Sequence, residues 1–331
     1  MTSFDDELAA LLALDALGPD EQADAELRLG TFHTPLSEAS AALAEIAATA
    51  PPTDLRDAVI DRALARRPAG RPVDGAVPCP APEAFDRTVA DLYGLLASLT
   101  DAEWDLPAHP GHGRVRDLIA HLTGVERLSL RWLDPTDDVP VMVDHIASTR
   151  AVVDELAESA PQDLTALWHA AAREVVPAAA RGDAERRVTF HDLTTSIDGF
   201  LITRTFELWA HSMDIAAATG RPMPELDPVR MATLSGRLMA AVPLALAYRG
   251  STVPGRTARF VLTGPSGGCY TVPLNPGSEV GEPDVTMVAD AIDLCRVAAH
   301  RLRPRDLPAT VEGDAELAGL VLAGLSAFAR D

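Results

Sequence analysis

The chain has 331 residues, enough for two or three domains, and its 47% hydrophobic content favours packed cores over disorder. A formal net charge of −21 at pH 7 weighs against nucleic acid or an anionic membrane surface as a partner. Three isolated cysteines, Cys79, Cys269 and Cys295, argue against a disulfide framework or a cysteine-built zinc cluster and read as small apolar fillers. The N-terminus, Met1-Thr2-Ser3-Phe4-Asp5-Asp6-Glu7, lacks the basic and apolar regions of a signal peptide. No apolar run approaches the ~20 residues of a membrane span, so the expectation is a cytoplasmic protein with no membrane association. All 28 basic residues are arginine, a bias that with abundant alanine suggests GC-rich coding of the actinobacterial kind.

Residues 1–66 read as an acidic, all-helical module of four short helices. Phe4, Leu8, Leu11, Leu12 and Leu14 recur at helical spacing before the Leu17-Gly18-Pro19 stop. A second helix runs over 20–29, Thr34-Pro35 opens a third, and after Pro51-Pro52 a fourth starts at Thr53 and ends near Arg66. Residues 67–82 are rich in proline and glycine and form a semi-rigid linker. Over 83–225 the periodicity predicts four long helices, at 83–99, 114–133, 141–159 and 196–219, with smaller helical pieces near 162–179. Four long helices in one segment suggest a bundle, whose interior can assemble metal ligands from facing helices. Residues 226–331 change character. A helix over 229–248 precedes two β-rich runs around the Gly-rich turn at 264–268, then a strand at 284–288, a helix over 289–302, a strand at 308–312 and a final helix over 314–329. The predicted class is mainly α: a helix bundle, a small α+β C-terminal domain and a short N-terminal helical module.

The most informative stretch is Phe206-Glu207-Leu208-Trp209-Ala210-His211. Glu207 and His211 lie one turn apart on one face of an otherwise apolar helix. A carboxylate in such surroundings is costly without a partner, and a divalent metal would satisfy both side chains. His121, in the apolar helical run 115–122, is a third ligand candidate. Two His and one Glu, with water in the fourth position, is the ligand count of a catalytic zinc site. The blander reading is a polar stripe, because Arg204, Glu207, His211 and Asp214 share a face at helical intervals. Asp214, one turn beyond His211, could orient its imidazole. His109-Pro110-Gly111-His112 lies on a loop just before the His121 helix, where it could line a pocket entrance but reads first as a turn, and the imidazoles other than His121 and His211 show no tight cluster in the sequence.

Val115-Arg116-Asp117-Leu118-Ile119-Ala120-His121-Leu122, followed by Glu207-Leu208-Trp209-Ala210-His211-Ser212-Met213-Asp214-Ile215, resembles the mycothiol-dependent maleylpyruvate isomerase family over about residues 83–331. The resemblance implies a DinB-like four-helix bundle followed by a sterol-carrier-like α+β domain, with zinc or another divalent metal on His121, Glu207 and His211. It further implies mycothiol as co-substrate. The reaction would be isomerisation or S-transfer on a small anionic electrophile such as maleylpyruvate, with a metal-bound thiolate as nucleophile. Arg204, with Arg301 or Arg296 from the second domain, are the candidate catalytic cations for the substrate's carboxylates. Where the family usually carries a Trp before the Val-Arg-Asp run, this chain has Gly113 and Arg114. Leu11 to Gln22, continuing through Leu29 and Glu38, is similar to the anti-sigma-factor zinc-binding domain, but its region around Arg28 to Pro35 has no Cys. That second likeness implies the alternative function: an anti-sigma-factor-like regulator that binds a sigma factor or another protein through residues 1–66, with the metal bundle sensing thiol or metal.

Overall fold

The computed structural model describes residues 77–134, 145–181, 185–190, 193–223, 225–264 and 267–326, together with Gln22, Ala25, Arg28 and Leu29. The chain divides into two compact units, residues 1–66 and 67–331. In the first unit the four described residues are helical, within the helix predicted over 20–29. The other three predicted helices of that unit, most of the anti-sigma-factor likeness and the linker as far as residue 76 lie outside the described residues.

The second unit is mainly α. Helix α1 (Ala81–Ala97) starts with proline in its first turn and buries Phe85, Val89, Leu92 and Leu96. Helix α2 (Val115–Trp132) is followed by α3 (His145–Glu155), α4 (Pro161–Ala179) and α5 (Ile197–Thr219). The Ser196 hydroxyl accepts from the Gly199 N–H at 3.1 Å to cap α5. Gly220, at φ +64°, ends that helix in the left-handed conformation that glycine adopts without strain. α1 packs against α4 and α5, and α2 packs against α3 and α4.

The fourth long helix of the bundle is therefore α4, where the sequence suggested only smaller pieces. Its buried positions are Leu164, Trp168, Ala172, Val175, Ala178 and Ala179, so alanine dilutes the apolar periodicity. α3 is shorter than predicted and serves as a flank of α2. Two hairpins also interrupt the helical segment: β1 (Pro107–His109) with β2 (Gly113–Arg114), and β3 (Arg187–Phe190) with β4 (Leu193–Ser196). Both are too short to show a period in the sequence.

Helix α6 (Pro228–Tyr248) leads into the α+β part, capped by Asp227, whose carboxylate accepts from the N–H groups of Val229 and Arg230. It has the length and apolarity of a membrane span, but it packs against α1, α5 and elements that follow it in the chain. Strands β5 (Thr257–Thr263), β6 (Gly268–Pro273), β7 (Val285–Asp290) and β8 (Ala309–Gly313) form one sheet in the order β6-β5-β7-β8. β5 pairs antiparallel with β6, placing Phe260 opposite Tyr270, and parallel with β7. Helices α7 (Ala291–Ala298) and α8 (Ala315–Leu325) are capped by Asp290 and Asp314. α7 ends earlier than predicted. His300 then takes φ +57°, the only non-glycine residue at positive φ among the described residues.

Candidate metal centre

Glu207 and His211 stand one turn apart on α5, facing His121 of α2. His121 and His211 are each only 1% exposed, so neither is a surface histidine. His121 Nε2 lies 3.7 Å from Glu207 Oε1. The structure thus brings together the three residues chosen from the sequence. It adds a fourth that the sequence reading left in a turn. His112 sits between β1 and β2, with its ring 4.0 Å from that of His121 and 5.1 Å from that of His211, centroid to centroid. One donor atom from each of His112, His121 and His211 lies within 4.8 Å of the others. His109 flanks them, its ring 4.9 Å from His112 and 6.0 Å from His211. The turn itself is as expected, since the His112 N–H donates to the His109 carbonyl at 3.2 Å. What sequence spacing did not show is that the hairpin folds both rings onto α2 and α5.

Hydrogen bonds around the two buried rings settle their tautomers. His121 Nδ1 lies 2.6 Å from Thr149 Oγ1, and that hydroxyl donates to the Ile146 carbonyl at 3.1 Å. The hydroxyl oxygen therefore accepts the Nδ1 proton, and the basic lone pair of His121 lies on Nε2, towards Glu207. Thr149 reaches this position because α3 crosses α2 at Gly124, where an added Cβ would sit 3.0 Å from Thr149 Cγ2. His211 Nδ1 donates to Asp214 Oδ2 at 2.9 Å, which again places the lone pair on Nε2. Arg301, just after the His300 turn, grips Asp214 with two donors, Nε at 2.8 Å and Nη2 at 2.5 Å. Burial pushes the Asp214 carboxyl up, but the hydrogen bonds from His211 and Arg301 outweigh it and hold the group below the usual carboxylate range. Asp214 thus sits where the sequence placed a group orienting His211.

The three candidate cations are placed differently from one another. Arg204 is 1% exposed and lies between two carboxylates, with Nη2 2.7 Å from Glu126 Oε1 and Nη1 on Glu207 Oε2. That pairing leaves Glu207 Oε1 aimed at His121. Arg301 reaches the site through Asp214 and also directly, with Nη2 3.4 Å from His211 Nδ1. Arg296 is more exposed, pairs with Asp293 at 3.1 Å and touches Met223 Sδ at 4.0 Å. All three cysteines are buried, and burial pushes the Cys295 thiol up to about 12, which removes it as a thiolate near neutral pH.

Two buried imidazoles presenting Nε2, a third from His112 and an oriented carboxylate make a borderline nitrogen and oxygen donor set. Such a set suits zinc and other first-row divalent ions. Zinc–nitrogen bonds of about 2.0–2.1 Å put tetrahedral ligands about 3.4 Å apart. The donor atoms of His112, His121 and His211, within 4.8 Å of one another, can therefore close on an ion with small side-chain movements, and Glu207 stands beside this trio with Oε1 3.7 Å from His121 Nε2.

Residues 85–216 match the family model of the mycothiol maleylpyruvate isomerase N-terminal domain. This chain is similar to that domain over the matched stretch, within which fall His112, His121, Glu207, His211 and Asp214. Arg296 and Arg301 lie beyond it, in the α+β part. Two solved structures, the mycothiol-dependent maleylpyruvate isomerase and a single-residue mutant of it, are similar at 18% identity with a TM-score of 0.48, each covering 70% of this chain and 91% of its own. No curated protein matches the sequence.

Proposed function

We propose that the chain is a thiol-dependent isomerase or S-transferase that works at a divalent metal centre, zinc by donor preference, held by His121, Glu207 and His211. The observation that carries this reading is the convergence of two buried imidazoles and a carboxylate, each ring pinned at Nδ1 by its own partner. The likeness of residues 85–216 to the mycothiol maleylpyruvate isomerase N-terminal domain supports mycothiol as the co-substrate and maleylpyruvate as a first substrate to try.

When bound, a divalent ion supplies the Lewis acidity that lets a small thiol ionise near neutral pH. The chain's residues arrange the rest. Thr149 and Asp214 hold the two imidazoles in one tautomer and one orientation. Arg204 acts through Glu207, turning one carboxylate oxygen towards His121. Arg301 and Arg296 supply positive charge from the α+β part for the carboxylates of an anionic electrophile. The nucleophile is the added thiol, since burial keeps the protein's own thiols out of the chemistry. Its sulfur adds to the activated cis double bond, which becomes single and can rotate. Expulsion of the same thiol restores the double bond in the trans geometry and regenerates the co-substrate.

Elemental analysis of wild type beside His211→Ala tests the centre. About one divalent ion per chain, lost in the variant, is the expected result, and mycothiol-dependent turnover of maleylpyruvate by the loaded wild type is the second. Full metal content in the variant would overturn the ligand assignment, and a loaded enzyme with no thiol-dependent turnover would overturn the activity.

A further inference from the structure

We propose that His112 is a displaceable fourth protein ligand of this centre, so that an entering thiol replaces an imidazole rather than a water. The proposal rests on the metal reading above and changes what that reading says about access. His112 offers a nitrogen within 4.8 Å of those of His121 and His211, and its ring lies over that of His121 with 37° between the planes. Three imidazoles and one carboxylate fill a tetrahedron, so a thiol can bind only if a ligand leaves or the ion takes a fifth.

The ligand that leaves is set by what carries it. His121, Glu207 and His211 stand on long helices packed into the core. His112 stands on the turn of a hairpin whose strands are three and two residues long, and it is only half-buried. Short two-stranded hairpins sit at the low end of local stability. The turn is also held by contacts away from the His112 ring. His109 accepts from the N–H groups of His112 and of Gly111, the latter through Nδ1 at 3.1 Å. Gly113 takes φ +89°, which favours glycine at that position. Arg114 ties the far side to Asp117 at 3.0 Å and to Asp105 at 3.2 Å. The hairpin therefore delivers the imidazole to the centre and can let it go without disturbing a helix.

The test uses cobalt(II) as the probe metal, because its visible absorption reports coordination, and 2-mercaptoethanol as the probe thiol. Wild type, His112→Gln and His109→Gln are titrated with cobalt and then with thiol, with thermal melts to verify folding. In His112→Gln the visible spectrum is expected to change, and cobalt affinity to fall about tenfold or more. The sulfur-to-cobalt band is expected to saturate at lower thiol concentration than in wild type. His109→Gln removes the Nδ1 acceptor of the Gly111 N–H and so measures what loosening the turn does by itself; the effects on cobalt and thiol should be larger in His112→Gln than in His109→Gln. A His112→Gln protein indistinguishable from wild type overturns the ligand role. Weaker cobalt binding with an unchanged thiol titration overturns the displacement. Wild type that binds no cobalt sinks the metal centre itself, and His112 with it. By contrast, cobalt lost in His211→Ala and unaltered in His112→Gln sinks the fourth ligand alone.

Discussion

Arg204 shows how a single side chain can serve stability and the site together. Its guanidinium lies between Glu126, which is 0% exposed, and Glu207. Removing one partner of a buried pair strands the other's charge, at a cost of about 3 kcal/mol. Glu126→Gln leaves Arg204 paired with Glu207 alone, so it is expected to lower the unfolding free energy by less than that, about 1–3 kcal/mol, read from the shift in denaturant midpoint. Glu126→Met with Arg204→Met should recover much of the stability, because a well-packed apolar pair can replace a buried ion pair. The double variant should still bind metal weakly, since nothing then turns Glu207 towards His121. Denaturation curves and chelator competition on the same two proteins separate the effects, and tight metal binding by the double variant would show that Arg204 does not position Glu207. That Glu207 and His211 share a helix face was legible in the sequence, because helical spacing alone fixes which face a residue takes; His121 stood out only as a histidine in an apolar helical run, with no spacing to tie it to them. The partners of Arg204 were only half legible: Glu207 lies three residues away on the same helix, whereas Glu126 comes from α2, and no local pattern pairs the two helices.

Among the elements, the approach of α2 and α3 at Gly124 carries the most consequence. A Cβ there would meet Thr149 at 3.0–3.1 Å and Val152 at 3.3 Å, in the region where α3 holds the His121 ring. Gly124→Ala is expected to cost about 1–3 kcal/mol through overpacking and to weaken metal binding by moving Thr149. Gly94→Ala on α1, with nothing within 4 Å of the new methyl, should instead stabilise by about 0.5–1 kcal/mol. Thermal melts of the two variants should shift in opposite directions. Beyond the α5 cap, Arg221 reaches Glu103 in the short helical turn Asp101–Asp105, with Nε at 3.1 Å and Nη2 at 2.7 Å. That hydrogen-bonded pair, with Thr100 donating as well, lowers the Glu103 pKa from 4.5 to about 2. A lowered folded-state pKa gives stability that is present above pH 4.5 and lost as pH falls towards 2. The melting-temperature gap between wild type and Glu103→Gln should therefore be open at pH 7 and closed near pH 2. A gap that persists near pH 2 would show that the stability comes from something other than the charged pair. α1 and α2, with strong apolar periods, and α5 and α6, with long and largely apolar runs, were readable along the chain. α4 was hidden by its alanines, and β1 to β4 by their brevity, so the turn that carries His112 could not be placed without the folded hairpin.

At the scale of the molecule, the bundle and the α+β part share α6, and they also share one charged contact close to the metal ligands. Asp214 accepts from His211 on one side and from Arg301 on the other. A group that helps orient a ligand thus also fastens the module that follows the bundle. Coupling between two binding events is reciprocal. Whatever the docked α+β part adds to metal affinity through Asp214, metal binding returns to the docking. Hydrogen exchange at the amides of α7 and α8, which touch no ligand, should therefore slow when metal is added and quicken on chelation. In Arg301→Ala the bundle amides should still respond to metal while those of α7 and α8 no longer do, and an unchanged response there would show that the coupling runs through α6 instead. In the proposed enzyme, the α+β part would act as a gauge of the metal's occupancy. Any partner that grips that part away from Arg301 would tune the affinity of a site it never reaches.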